Sequence, residues 1–217
     1  MATSVDRSQL QVVSITFGKV LVALWLAQLV HGEPNPACKT VPEFMKAESE
    51  EKCCEMPQVF LNETVKECWS KVEGSGKSQV EQSCEFSACV FKQDKFTKSD
   101  GRVDSDRLRT FIKESLQASS EWKSLLEKVV LEECMPMIEK DAAAIQKLTK
   151  SDCDPTPAFL IACAASKSYA KCPTSSWTGS KACDEWKSYF TKCANTVDDL
   201  GEMFKQVESR KLAENQN

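Results

Sequence analysis

The 12 cysteines are the residues of this chain best placed to do chemistry. Those at 153, 163, 172, 183 and 193 recur about every tenth residue. Thiols at this density close disulfides in an oxidising compartment or ligate a metal in a reducing one. The single histidine, His31, lies near the N-terminus, so residues 32–217 offer no imidazole. That removes Ser–His and Cys–His hydrolysis, His–Asp phospholipase chemistry and imidazole zinc sites. The neighbours Cys53 and Cys54 have no C-x-x-C motif and no histidine nearby, and read as two separate structural bridges. The acidic stretch SDGRVDSD (99–106) fails the calcium-loop pattern: Phe96 would stand at the first ligand position and no glutamate closes the loop. It reads as a turn followed by a helix cap. No catalytic set stands out among the carboxylates, and no enzyme, metal or cofactor is expected.

The N-terminus bears on the redox question. Arg7 and Lys19 precede the apolar run VLVALWLAQLV at 20–30, and Val30 and Gly32 are acceptable residues before a cleavage. The reading is a signal peptide over 1–32, with 33–217 as one mature domain. As a membrane anchor the uninterrupted run is too short, since a span needs about 20 apolar residues. Net charge is −4 for the whole chain. The segment 1–32 holds Asp6, Arg7 and Lys19, so the remainder is more acidic by one charge. An acidic surface without a basic cluster argues against nucleic acid as a partner.

Behind the leader the chain reads as helices. Leu108, Phe111, Ile112 and Leu116 share one face over 104–116, with Asp104 or Ser105 as cap. Over 121–139 the same spacing gathers Trp122, Leu125, Leu126, Val129, Val130 and Met137 behind Ser119 or Ser120; Pro136 should kink or end that helix near Cys134. Asp154 and Pro155 start a helix running to Cys172, whose body AFLIACAA is apolar nearly all round. A last helix begins at Thr196, with Asp198 and Asp199 favourable to its dipole and Val197, Leu200, Phe204 and Val207 as its stripe. Earlier, EFMKAESEEKCCEM (43–56) and ETVKECWSKV (63–72) read as short helices. GSGK (74–77) separates them from a helix near 78–94, and KSDGR (98–102) is the next turn. There is no tandem repeat and no domain linker.

The stretch CAASKSYAKCP (163–173) spaces its cysteines nine steps apart, which is 900° of helix, or half a turn net. The two sulfurs leave opposite faces and can staple one helix to two neighbours. Proline disfavours helical geometry in the residue before it, so the helix should end at Cys172.

In the order Cys84, Cys89, Cys134, Cys163, Cys172, with these C-terminal spacings and Pro173, the chain resembles the insect odorant-binding proteins, Plus-C subclass. The likeness covers about residues 68–193. TKSDGRVDSDRLRTFIKE also resembles the family's loop and following helix. The resemblance implies a compact all-α bundle of about six to eight short helices around an apolar cavity. It divides the mature chain into an extension (33–67), a six-cysteine core (68–172) and a C-terminal extension (173–217). The implied pairs are Cys68–Cys89, Cys84–Cys163 and Cys134–Cys172, with Cys38, Cys53, Cys54, Cys153, Cys183 and Cys193 forming three more. The family usually has three residues between its second and third cysteines; CEFSAC has four. Five steps turn 500°, a net 140°, so either the helix is irregular there or the pairing differs.

The resemblance further implies a secreted carrier of small hydrophobic molecules, odorant or pheromone-like, in sensillar lymph or another extracellular fluid. A homodimer or a membrane receptor would be its further partners. A ligand-sized void of about 300 Å3 costs on the order of 7 kcal/mol, which several disulfides at roughly 2–4 kcal/mol each can offset. Candidate lining residues are Phe86, Val90, Phe91, Phe111, Leu125, Val129 and Phe159. Trp122 could lie at the rim, on the surface or in the pocket. Trp69, Trp177 and Trp186 lie near cysteines and read as covers over disulfides. Met203 and Phe204 put the last helix forward as a lid, a dimer contact or a plain packed helix, the last being preferred. Asn62-Glu63-Thr64 is a glycosylation sequon. Without histidine, release of a ligand at low pH would have to run through carboxylates. Two rival readings stand: a helical extracellular protein that binds another protein through its surface, and an enzyme using a histidine-free acid/base pair.

Overall fold

A computed structural model describes residues 33–40, 52–147 and 152–214. The chain divides into two units, Met1–Glu33 and Pro34–Asn217, and the fold described is that of the second. The expected leader over 1–32, including His31, and most of the expected helix over 43–56 lie outside the described residues.

After a 3-10 turn at Pro36–Lys39, the helices are α1 (Asn62–Val72), α2 (Gln79–Gln93), α3 (Ser105–Thr110), α4 (Ser120–Glu127), α5 (Met135–Lys140), α6 (Ala142–Gln146), α7 (Thr156–Ala170), α8 (Lys181–Cys193) and α9 (Val197–Glu214). Among the described residues the only β pairing is two isolated bridges, Cys54 with Trp177 and Thr97 with Val103.

Local chemistry sets the boundaries. Ser78 accepts from the Glu81 N–H while the Glu81 carboxylate accepts from the Ser78 N–H, a reciprocal cap that starts α2 just after GSGK. Asp104 caps α3 through the Arg107 N–H, and Ser119 caps α4 through the Trp122 N–H. Asp154 accepts from the Thr156 N–H at 2.9 Å, so α7 begins one residue later than Pro155. It closes at Ala170, ahead of Cys172 and Pro173. The turn at 98–102 closes by Lys98 N–H to the Arg102 carbonyl, with Gly101 at φ 86°, a conformation natural to glycine.

Pro136 does not stop its helix. The chain widens into a π segment, Lys128–Cys134, and continues directly as α5. Proline cannot donate to the helical ladder. Just ahead of it the Met135 N–H reaches back five residues to the Val130 carbonyl, so the wider register carries the helix into the proline. A second π turn, Phe111–Ser115, extends α3.

All 12 cysteines are paired. Cys68–Cys89 is as expected, but Cys84 pairs with Cys153 rather than Cys163, Cys134 with Cys163 rather than Cys172, and Cys172 with Cys54. The interlocked order (first with third, second with fifth, fourth with sixth) is the implied one, moved by one cysteine so that Cys153 belongs to it and Cys172 does not. The placement of α7 accounts for the change, and the expected departure at CEFSAC is absorbed without irregularity. Helix α2 is regular through CEFSAC, so Cys84 and Cys89 leave different faces and serve different partners. Cys163, in the middle of α7, meets the π segment, while Cys172, beyond the end of α7, meets the chain at Cys54. The helix and the segment just after it are thus stapled to two different neighbours, although Cys172 lies outside the helix, so the half-turn offset expected of a helix running to Cys172 does not set its direction. The other three bridges, Cys38–Cys193, Cys53–Cys183 and Cys54–Cys172, are nested one inside the next. They fasten the stretch before α1 to the chain from Cys172 onward.

The main core gathers Phe91, Phe96, Ile112, Leu126, Val129, Ile138, Leu160 and Leu200 around α7. Four phenylalanines run through it in contact: Phe60 with Phe91 at 5.9 Å, Phe91 with Phe96 at 5.8 Å and Phe96 with Phe111 at 5.1 Å between centroids. A smaller cluster of Cys38, Tyr189 and Cys193 packs with Phe190 and Met203. There the Asn35 N–H donates to the Asp199 carboxylate at 2.8 Å, tying the start of the second unit to α9.

Candidate ligand-binding site

The chain through the adjacent cysteines toward α1 is not helical over 52–60. Its backbone is tied to the segment after α7: Glu55 N–H donates to the Ser176 carbonyl and Thr178 N–H to the Cys53 carbonyl. With two disulfides beside them, these bonds hold Met56, Pro57, Val59 and Phe60 along one side of an apolar cavity of about 150 Å3. Phe91 of α2 and Leu108 of α3 also line it, as do Trp122 and Leu126 of α4 and Val130 of the π segment. Helix α7 presents Leu160, Ile161, Ala164, Ala165 and Ser168, a stripe at helical spacing. The alanines leave the space that larger side chains would fill.

No charged side chain lines this cavity. The indole N–H of Trp122 donates to Ser176 Oγ at 2.9 Å and is satisfied. An enclosed void of this volume would cost about 4 kcal/mol at 24 cal/mol per Å3, half of what 300 Å3 would cost and within reach of one or two disulfides; this cavity is partly open beside the exposed Met56, which lowers the cost.

Of the seven candidates, Phe91 lines this cavity. Phe111 lines an open groove of about 490 Å3 that shares Val59 and Phe60 with it. Phe159 lies against Phe204 at 5.2 Å, beside a separate recess of about 160 Å3 under α9. Val90 and Val129 are fully buried, and Leu125 packs on the edge of the core. Phe86 meets Trp69 edge to face at 5.8 Å, away from the cavity. Trp122, left open by the sequence, is buried and lines the cavity. Trp177, Tyr169, Trp186 and Phe190 form a ring cluster beside the nested bridges. Helix α9 packs on α7 through Phe204. Asn62 is exposed at the start of α1, its side-chain oxygen accepting from Gln58.

Outside the cavity, one ion cluster ties its walls together. Glu133 of the π segment bonds both Lys167 of α7 and Lys171 just past its end, next to the Cys134–Cys163 bridge. Burial alone would raise the Glu133 carboxyl, but the hydrogen bonds from Lys171 and Lys167 outweigh it and hold the group below its ordinary value. Among the described residues no group of three or more His, Cys, Asp or Glu is arranged to hold a metal.

Interlocked bridges around a small apolar cavity define a class: helical proteins whose shell is held covalently while part of the interior stays hollow. The AgamOBP47-like family model matches residues 57–189, a span that takes in every cavity residue but Met56. General odorant-binding protein 68 of Anopheles gambiae is 45% identical over 215 residues, covering 97% of this chain and 99% of that protein. Odorant-binding protein 47 of the same species is 25% identical over 173 residues, covering 73% of this chain and 74% of that protein. The chain belongs to the AgamOBP47-like family of insect odorant-binding proteins, and the Plus-C assignment fits that membership.

Proposed function

We propose that this chain is a secreted carrier that binds small hydrophobic molecules, odorant or pheromone-like, and transports them through aqueous extracellular fluid. The observation that carries the reading is the apolar cavity, kept open by alanines on α7 and walled by a disulfide-tethered segment. Membership in an odorant-binding family supports a small-ligand carrier. Binding chemistry rather than catalysis suits a cavity with no titratable side chain on its walls. Six disulfides suit an oxidising extracellular compartment. Among the described residues no helix is long and apolar enough to cross a membrane.

The test is displacement of a fluorescent hydrophobic probe from the delipidated protein by a panel of small volatile compounds. Saturable displacement is expected, and Ala164→Phe, which puts a ring into the cavity, should abolish it while leaving the far-UV spectrum unchanged. If Ala164→Phe binds the panel as well as the parent protein does, the cavity is not the ligand site.

A further inference from the structure

Ser168 of α7 is among the residues that line the cavity and is 1% exposed, yet its hydroxyl has no hydrogen-bond partner. It is the one buried side-chain nitrogen or oxygen left so among the described residues. Two other helical hydroxyls are satisfied at home: Ser87, also buried, donates to the Ser83 carbonyl at 2.7 Å, and Thr191 does the same to Lys187. A buried polar group without a partner is costly and calls for an explanation. Water is a poor one here. A buried water needs two to four polar partners, and the remaining lining side chains are apolar apart from Trp122, whose N–H is already engaged.

We infer that Ser168 is the polar anchor of the cavity, and that the preferred ligand is a small neutral oxygenated molecule with a single hydroxyl or carbonyl oxygen on an apolar body of about one ring. This deepens the carrier reading and rests on it. An apolar cavity of about 150 Å3 is the size that accepts benzene, and the volume here is the same. A hydroxyl donates and accepts, so Ser168 can pair with an alcohol, phenol, aldehyde or ketone. A carboxylate is disfavoured, because no cation lines the walls to balance a buried charge. A bare hydrocarbon fits the space but leaves the hydroxyl unmatched.

The experiment measures phenol, toluene and benzoate against the full chain and Ser168→Ala, following intrinsic tryptophan fluorescence or heat of binding at pH 7. Ser168→Ala should weaken phenol by about fivefold to tenfold and leave toluene within about twofold. Benzoate should bind the parent chain at least about tenfold more weakly than phenol. Without ligand, Ser168→Ala should melt at the same temperature as the parent or higher. A substitution that weakens neither compound, or both alike, overturns the anchor while toluene binding keeps the carrier reading intact. A clear fall in the ligand-free melting temperature overturns it too, because it would mean the hydroxyl is partnered within the protein. If none of the compounds binds the parent chain, and the wider volatile panel also fails, the carrier reading itself falls.

Discussion

At the scale of single residues, the cavity is decided by which of two neighbouring side chains faces it. Adjacent helical positions lie 100° apart. Leu126 and Val130 line the cavity while Leu125 and Val129 do not; Leu160 does while Phe159 turns toward Phe204. Phe91→Ala should therefore both destabilise the fold by about 3–5 kcal/mol and change the ligand profile toward larger molecules. Phe159→Ala should cost comparable stability yet leave affinity for a one-ring ligand within about twofold. Thermal melting combined with probe displacement on both variants checks this, and a large affinity loss in Phe159→Ala would contradict the assignment. Hydrophobic periodicity marks a buried face but not which part of it meets empty space. A stripe of Trp122, Leu125, Leu126, Val129 and Val130 is wide enough to serve core and cavity at once. For α7, apolar nearly all round, the sequence offers no face at all: small residues stand at 158, 162, 164, 165, 166, 168 and 170, and only three of them line the cavity. Met56 to Phe60 carry no periodicity, and the adjacent acidic stretch invited a helical reading.

At the scale of elements, the helices and most of their caps are legible because Ser78, Asp104, Ser119 and Asp154 act locally. The disulfide partners are not, because the C-terminal spacings are so nearly equal that moving the frame by one cysteine leaves the pattern almost unchanged. Only the tertiary placement of α7 decides between the frames. The Cys54–Cys172 bridge and its neighbour hold the wall segment Met56–Phe60 against α7. Replacing Cys54 and Cys172 with serine should cost about 2–4 kcal/mol of stability and loosen that wall, weakening ligand binding roughly tenfold through lost preorganisation. Replacing Cys38 and Cys193, whose bridge lies in the smaller Tyr189 cluster, should cost similar stability with little change in affinity. Equal affinity losses in the two double variants would argue against a special role for the wall.

For the whole molecule, pH acts on the shell rather than on the ligand contacts. The cavity walls hold no titratable side chain, and residues 32–217 contain no histidine. Glu133, held below its ordinary value of 4.5, contributes stability that is present above that pH and is lost as pH falls through its lowered value. Affinity should thus stay level from pH 8 to about 5.5 and fall together with thermal stability below about 4.5. Glu133→Gln should lower the melting temperature at neutral pH by roughly 2–4 °C, the shift expected for about 1 kcal/mol, and narrow the gap between neutral and acid melting points. An affinity midpoint near 6.5 would contradict the scheme.

The side-by-side cysteines at 53 and 54 have a consequence for analytical chemistry. Lys52, Lys66, Lys171, Lys181 and Lys187 place tryptic cuts so that residues 53–66, 172–181 and 182–187 are three separate peptides. Because one peptide carries both adjacent thiols, the two bridges weld all three into a single covalent species on a non-reducing digest. That species has the same mass if the two partners are exchanged, so fragmentation between Cys53 and Cys54 is the step that reads the pairing. It also carries Asn62, and any sugar attached there would travel with the branched peptide as added mass.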